Sequence, residues 1–447
     1  MLTPSRPSSR YNPNSARPAP PESVTAHITH IGADGDGIGV HADGSTLYVP
    51  LTVPGDIVRV RPLARRGEGW AAEIEDIEHP GPGRREPACG HFGVCGGCTS
   101  QHWDDAAYLA WKTSRLTEAL RRAGYDNPPM ALIVSGVAGT RRRMDLALRR
   151  IQGGMVAGLH RARGGEVVDI EECPVLHATL FRLIAPFRAL STSLSAIRRE
   201  ASLAANLLDS GPDLLLRTDG ELTLPDRTKL IAFAHTHRLP RISWAFGNRP
   251  TEAVCILNPP VMTFSGATVV PPPGAFLQAT VEGEAAIVAA VLDGLPTKRT
   301  ARARVLELYS GCGTISFALA ERIRVLAIEG DAELVTSCHN AINQAGLMGK
   351  VEINRRDLAR QPFLAKELAA FTAVVLDPPH AGAAAQMPHI AQAKVPTVIY
   401  VSCDPVSLGR DATELHRAGY RLEKVTPIDQ FLWSARLEAV AVFRLGR

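Results

Sequence analysis

Two arrangements of the eight cysteines in this 447-residue chain have the types and spacing to do chemistry. The first is a single thiol, Cys403 in "VSCDPV", which stands where the apolar run "VPTVIYV" stops and an Asp-Pro turn begins. A free cysteine is by default a small buried hydrophobe. At the end of a strand beside a turn it is also a candidate nucleophile. The second arrangement is Cys89, Cys95 and Cys98 in "CGHFGVCGGC", with Cys173 further on in "EECPV". Four thiolates complete a ligand set for zinc or for a [4Fe–4S] cluster, and spacing alone admits both. The glycines leave backbone N–H groups free to point at sulfur, and Pro174 follows the last cysteine as in ferredoxin loops, which leans toward iron. Only three cysteines are crowded and the start of the chain carries no secretory apolar stretch. This spread does not resemble a disulfide scaffold, and a reducing, cytoplasmic compartment is expected.

A nucleotide loop is legible in "VLELYSGCGTISFALA". A strand over 305–308 leads through a turn at Gly311 and Gly313 into a helix, and the next strand ends in Glu329, placed to accept hydrogen bonds from ribose hydroxyls. A dinucleotide fingerprint would carry a third glycine where this chain has Ser316. With no pyrophosphate cradle, S-adenosylmethionine fits better than NAD, and a nicotinamide oxidoreductase ranks last. Asp357 in "RRDLA" is placed to reach an adenine amino group, its plainer alternative being a helix cap. Asp377 opens "DPPH", where a flat substrate edge and a methyl donor would meet. Cys403 faces the same crevice. A pyrimidine C5 is a poor nucleophile, so the economical route is attack of the cysteine at C6, methylation at C5, and removal of the C5 proton by a base. Glu438 in "WSARLEAVAVF", leading into the last strand, is the candidate base.

These residues need elements to hold them, and the length points to two to four domains. Residues 1–21, rich in Pro, Ser and Arg, read as a disordered tail. Short alternating segments over 22–80 read as a small β-barrel with Arg59 and Arg61 on an outer face, a shape suited to single-stranded nucleic acid. The region 81–270 holds the cysteine loop, a helix from Asp104 to about Ala123 and a mixed α+β domain. From 271 to 447, helices alternate with apolar strands, which specifies a doubly wound α/β sheet with its ligand at the carboxyl ends of the strands. The composition is 45% hydrophobic without a run long enough to cross a bilayer, so no membrane is expected. The net charge of +4 is mild, yet "RPLARR", "RRAG", "TRRRMDLALRR" and "HRAR" concentrate basic residues in patches suited to phosphate backbones.

Together, "GDIVRVRP", C-x5-C-x2-C, "RRRMDLAL", "VVDIEECPVL", "FLQAT", "LELYSGCGT", "DPPHAG", "VSCDPVSLGRD" and "DQFLWSARLEAVAVF" resemble the RNA 5-methyluridine methyltransferase family. The branch they resemble acts on 23S ribosomal RNA and carries an N-terminal TRAM barrel and a [4Fe–4S] cluster. The resemblance spans nearly everything after residue 21. It implies a class I, Rossmann-like methyltransferase domain behind a TRAM/OB-like barrel and a mixed central domain. It also implies Cys403 as nucleophile, Glu438 as proton-abstracting base, and contacts to S-adenosylmethionine from Gln278, Tyr309, Glu329, Asp357 and Asp377. Thr314 stands where the family often has asparagine. Cys89, Cys95, Cys98 and Cys173 become cluster ligands, with a structural rather than redox role. The chain departs from the family where Trp433-Ser434-Ala435-Arg436 replace the usual His-Thr-x-His before the terminal glutamate, and where "FLQAT" lacks a following asparagine. The implied partner is RNA, with neither DNA nor a membrane, and a monomer is expected. The alternatives are a transfer RNA uridine-C5 methyltransferase, an amino-methylating enzyme sharing Asp-Pro-Pro, and a catalytically silent RNA-binding protein.

Overall fold

The computed structural model describes residues 22–41, 43–247, 249–297 and 303–446, so the tail expected over 1–21 lies outside the described residues. The chain divides into two compact units, Met1–Arg84 and Arg85–Arg447.

The first unit is a six-stranded sheet of β1 (Val24–His27), β2 (His30–Ile31), β3 (Gly37–Val40), β4 (Thr46–Val49), β5 (Ile57–Arg66) and β6 (Gly69–His79), in the order β1-β5-β6-β4-β3-β2. The long pair β5–β6 shifts register three times. Each such bulge bends and twists its strand, which is how a small sheet curls around a core. Val58 and Val60 are buried while Arg59 and Arg61 face outward, as alternation predicts. These arginines are not free charges: Arg61 pairs with Glu73 at 2.9 Å, and Arg59 lies 3.7 and 3.6 Å from Glu75 and Asp76.

The second unit opens with the cysteine loop and the helix α1 (Asp105–Arg122), capped by Asp104 Oδ1 accepting from the Ala107 N–H. Its central sheet consists of β7 (Arg143–Ile151), β8 (Gly154–His160), β9 (Val167–Asp169), β10 (Glu200–Leu208), β11 (Gly211–Thr218), β12 (Arg241–Phe246) and β13 (Glu252–Ile256). Their order is β13-β12-β11-β10-β7-β8-β9. The helices α2 (Ala178–Phe181), α3 (Ile184–Thr192) and α4 (Leu224–His237) add side chains to the core of this sheet. A hairpin, β14 (Met262–Phe264) and β15 (Ala267–Val269), leads to α5 (Val281–Asp293).

The remainder alternates as β16 (Arg304–Leu308), α6 (Thr314–Ala320), β17 (Arg324–Glu329), α7 (Ala332–Gln344), β18 (Val351–Arg355), α8 (Ala365–Leu368), β19 (Ala373–Leu376), α9 (Met387–Ala393), β20 (Thr397–Ser402), α10 (Pro405–Arg417), β21 (Tyr420–Ile428) and β22 (Glu438–Leu445). The sheet order is β18-β17-β16-β19-β20-β22-β21, with β22 running antiparallel between β20 and β21. Val305, Ala327, Val375 and Ile399 enter one core, whereas Leu306, Ile328, Leu376 and Tyr400 enter the other. Such two-sided burial explains why these strands read as continuous apolar runs. The order steps from β16 to β17 on one side and to β19 on the other. In open α/β sheets the ligand crevice lies at such a reversal, outside the carboxyl ends of the strands.

Candidate active site

The loop after β16 is shaped by backbone conformation. Tyr309, Gly311 and Gly313 have φ of 66°, 55° and 85°, the left-handed region that costs a side chain strain. A Cβ at Gly311 would meet nothing within 4 Å, so the loop leaves open space there. Glu329 at the end of β17 accepts N–H donors from Gly311 (2.9 Å), Gly330 (2.7 Å) and Asp331 (3.0 Å), which fixes its carboxylate at the loop. Thr314 is the first residue of α6. Asp357 caps its own turn, one oxygen accepting from the N–H groups of Ala359 and Arg360. Burial and then the charges of Asp411 and Asp357 push the Tyr309 hydroxyl up, so Tyr309 and Asp357 share this end of the sheet.

Cys403 lies between the last residue of β20 and Asp404, the cap of α10, whose Oδ2 accepts from the Ser407 N–H at 2.9 Å. Ser402 pairs with Ala439, so the antiparallel register sets Glu438 beside Cys403 at the adjoining strand end. Asp377 follows β19, the neighbour of β20. The thiol is half-buried, and its pKa is pushed up to about 11 by burial, then by Glu438 and Asp377, with Arg436 opposing them. Glu438 is 3% exposed, and burial and the nearby Asp377 raise it well above the ordinary carboxyl range. Burial raises Asp377 as well.

Gln430, to which sequence reasoning assigned no role, joins these acids. Its Nε2 donates to Glu438 Oε2 (2.7 Å) and Gln278 Oε1 (2.8 Å), while its Oε1 accepts from the Ala279 N–H (2.8 Å). Gln278 Nε2 donates in turn to Asp377 Oδ2 (3.2 Å). The available signal was a glutamine buried at the exit of an apolar strand, since such a group requires partners. Arg142, from the basic cluster before β7, is also buried. It donates from Nε to the Gln278 carbonyl at 3.0 Å and pairs with Glu284, so part of that cluster braces the site from inside.

The loop of Cys89, Cys95 and Cys98, which precedes α1, is tied to the end of β8 and the turn after it. Gly96 N–H donates to the His160 carbonyl (3.0 Å), Ala162 N–H to Val94 (3.0 Å) and Gly97 N–H to Cys95 Sγ (3.4 Å). Cys98 is pushed up to about 12 by burial and by Cys173, Cys95 and Cys89, so the four thiols share one locale, with Arg141 close to Cys173 and Cys98. Among the described residues, no group of three or more His, Cys, Asp or Glu is closed up as a metal-ion site.

Residues 274–444 match the family model of tRNA (uracil-5-)-methyltransferases. An uncharacterized RNA methyltransferase of Brucella suis is 39% identical over 95% of this chain and 99% of its own length. The 23S rRNA (uracil(1939)-C(5))-methyltransferase of Chromohalobacter salexigens is 32% identical over 92% of this chain and 87% of its own. The chain belongs to the RNA uracil-C5-methyltransferase family. In fold it is similar to the Pyrococcus abyssi tRNA (uracil-54, C5)-methyltransferase solved with S-adenosyl-L-homocysteine. That match has a TM-score of 0.69 at 20% identity and covers 94% of this chain and 100% of that one.

In this RNA methyltransferase the departing segment 433–436 has definite partners. The Trp433 carbonyl accepts from the N–H groups of Thr99 (2.8 Å) and Ser100 (3.1 Å), just after Cys98, and Trp433 itself is left-handed at φ 55°. Arg436 donates to the His380 ring, with its Nη1 at 2.8 Å from Nε2 and 3.0 Å from Nδ1. Lys112 of α1, fully buried, pairs with Asp429 at 2.5 Å and donates to the Phe431 carbonyl at 3.1 Å.

Proposed function

We propose that this protein methylates C5 of a uridine in 23S ribosomal RNA through a covalent bond between Cys403 and C6. The observation that carries the reading is the convergence of Cys403 and Glu438 on adjoining strand ends, beside Asp377 and Gln278. Ribosomal rather than transfer RNA is favoured because the relative named for 23S ribosomal RNA matches over most of both chains. The expected setting is the cytoplasm and the expected state a monomer.

S-adenosylmethionine, when bound, supplies a methyl group on a positively charged sulfur that leaves as a neutral thioether. The open, left-handed loop at Gly311, the fixed carboxylate of Glu329 and the turn at Asp357 fit a nucleoside of that kind. Cys403 as thiolate adds to uracil C6, and the C5–C6 π electrons move toward the C4 oxygen as an enolate. C5 then takes the methyl group. Glu438 accepts the C5 proton, the electrons of that C–H bond re-form the C5–C6 double bond, and the C6–S bond breaks to return the thiolate. The uridine must leave its stack to reach a thiol at the foot of a crevice.

Cys89, Cys95, Cys98 and Cys173 are proposed to hold a [4Fe–4S] cluster. An all-cysteine set with the Arg141 guanidinium close to Cys173 and Cys98, and with an N–H donor on sulfur, suits anionic iron–sulfur chemistry, and the cluster would supply a rigid tie. Four iron and four acid-labile sulfide per chain after anaerobic purification is the expected content; one zinc without sulfide would replace this assignment.

The deciding experiment follows labelled methyl from S-adenosylmethionine into unmodified 23S ribosomal RNA and into transfer RNA, for the wild type and Cys403→Ala. The expected outcome is 5-methyluridine in 23S ribosomal RNA, falling by roughly 10³-fold or more in the variant. Methylation that survives the substitution would end the covalent reading, and label in transfer RNA alone would change the substrate.

A further inference from the structure

We propose that Gln430 is a positioning residue that sets the working geometry of the base and ties it to the methyl-donor side of the site. This inference rests on the reading of Cys403 and Glu438 given above. Four hydrogen bonds carry it. One amide nitrogen serves both Glu438 and Gln278, the amide oxygen is anchored on the Ala279 N–H, and Gln278 reaches Asp377. Glu438 is therefore held by Oε2, while its Oε1 is buried with no hydrogen-bond partner. A buried carboxylate oxygen without a donor is unfavourable in a resting protein. It is the arrangement a proton acceptor needs, because the free lone pairs point where a substrate C–H must arrive.

Gln430 is held in place by packing as well as by hydrogen bonds. Gly283, in the first turn of α5, lies so close that a Cβ there would stand 2.7 Å from Gln430 Cβ and 3.1 Å from its Oε1. Glycine at this point lets the helix and the glutamine approach each other. The link also runs to the donor side: a shift of Gln278 alters the amide that Gln430 shares, and with it the orientation of Glu438. Proton removal is thereby tied to the residues that flank the methyl donor.

The test separates the steps of the reaction. Gln430→Met keeps the length and removes both polar ends, and Gly283→Ala displaces the glutamine without removing its amide. Each is followed in single turnover with unmodified 23S ribosomal RNA. The readouts are formation of the protein–RNA adduct, methyl incorporation into it, and its breakdown. In both variants breakdown is expected to slow by roughly 10- to 100-fold, so that methylated adduct accumulates. Adduct formation and the dissociation constant for S-adenosylmethionine, read by calorimetry, should stay within about threefold. The pH profile of breakdown should move to higher pH in Gln430→Met, because the lost N–H favoured the charged carboxylate. The charges that remain at this site are Asp377 and the Cys403 thiol beside Glu438, with Arg436 and Asp404 beside that thiol. Glu438→Gln and Cys403→Ala run alongside. If Glu438→Gln accumulates adduct and Gln430→Met does not, Gln430 has no positioning role. If all three steps fall together in both variants, its role is merely structural, and the inference is overturned. If Glu438→Gln itself turns over normally, the assignment of the base fails instead.

Discussion

Glu438 and Glu307 lie buried and Asp377 half-buried around this site, and burial decides what the two glutamates can do at neutral pH. Glu438 is raised by burial and by Asp377, so a proton stays on it at pH values where an exposed glutamate is fully ionised. Since the proposed base must act as carboxylate, breakdown of the proposed covalent adduct should accelerate with pH, with a midpoint well above the ordinary glutamate range. Single-turnover rates between roughly pH 5 and 9 test this, and Glu438→Gln should lack that limb and slow breakdown by about 10²–10⁴-fold. Glu307 is a different case. It accepts from Ser316 Oγ inside the sheet and is raised from 4.5 to about 8, mainly by burial. Its folded-state pKa exceeds the unfolded value, so between these values the folded chain binds the extra proton. The contribution of this group to stability is then greatest below 4.5 and is lost as pH rises through about 8. Glu307→Gln keeps an oxygen for Ser316 and removes the titration. It should be more stable than the wild type by roughly 1–3 kcal/mol at alkaline pH, with the gap closing in acid. Parallel pH–stability curves for the two proteins would contradict that.

At the scale of elements, α1 holds the segment that leads to Glu438, the proposed base. Tyr108, Trp111, Leu116 and Leu120 are buried as their spacing predicts, and Leu116 and Leu120 pack into the core of the C-terminal sheet. On the same helix Lys112 reaches Asp429, and Arg115 donates to the Ala435 carbonyl. Burial lowers Lys112 to about 8 against the pull of Asp429. Replacing Lys112 by methionine strands the Asp429 carboxylate in a dry site, which should cost about 3–5 kcal/mol. The double variant with Asp429→Leu should recover most of that loss, because removing both charges leaves no unpaired charge in the dry site. Denaturant unfolding measures both, and a double variant as unstable as the single one would refute the pairing argument.

At the scale of the molecule, the cysteine loop and the catalytic segment touch through two N–H groups on the Trp433 carbonyl. Cys98→Ser should therefore reduce turnover by on the order of 10-fold through misplacement of residues 429–438, and lower the melting temperature, while S-adenosylmethionine binding stays within about twofold. Turnover unchanged in Cys98→Ser would separate the two regions. By itself the sequence determined what depends on period and local chemistry. The apolar runs marked strands buried on both faces, the glycines marked the loop after β16, and the side-chain alternation set Arg59 and Arg61 outward. Cys403 and Glu438 stood out as candidates because each stands where an apolar strand meets a polar turn. Only tertiary structure decided which distant groups share a hydrogen bond. The antiparallel insertion of β22 brings Glu438 to Cys403, Gln430 meets Gln278 across 152 positions, and Lys112 meets Asp429 across 317. It also turned Arg142 and Arg59 from candidate phosphate ligands into braces and ion pairs. Periodicity reports which side of an element faces the core. Buried polar partners are set by sheet order and packing, and these follow from closing the whole chain around its cores.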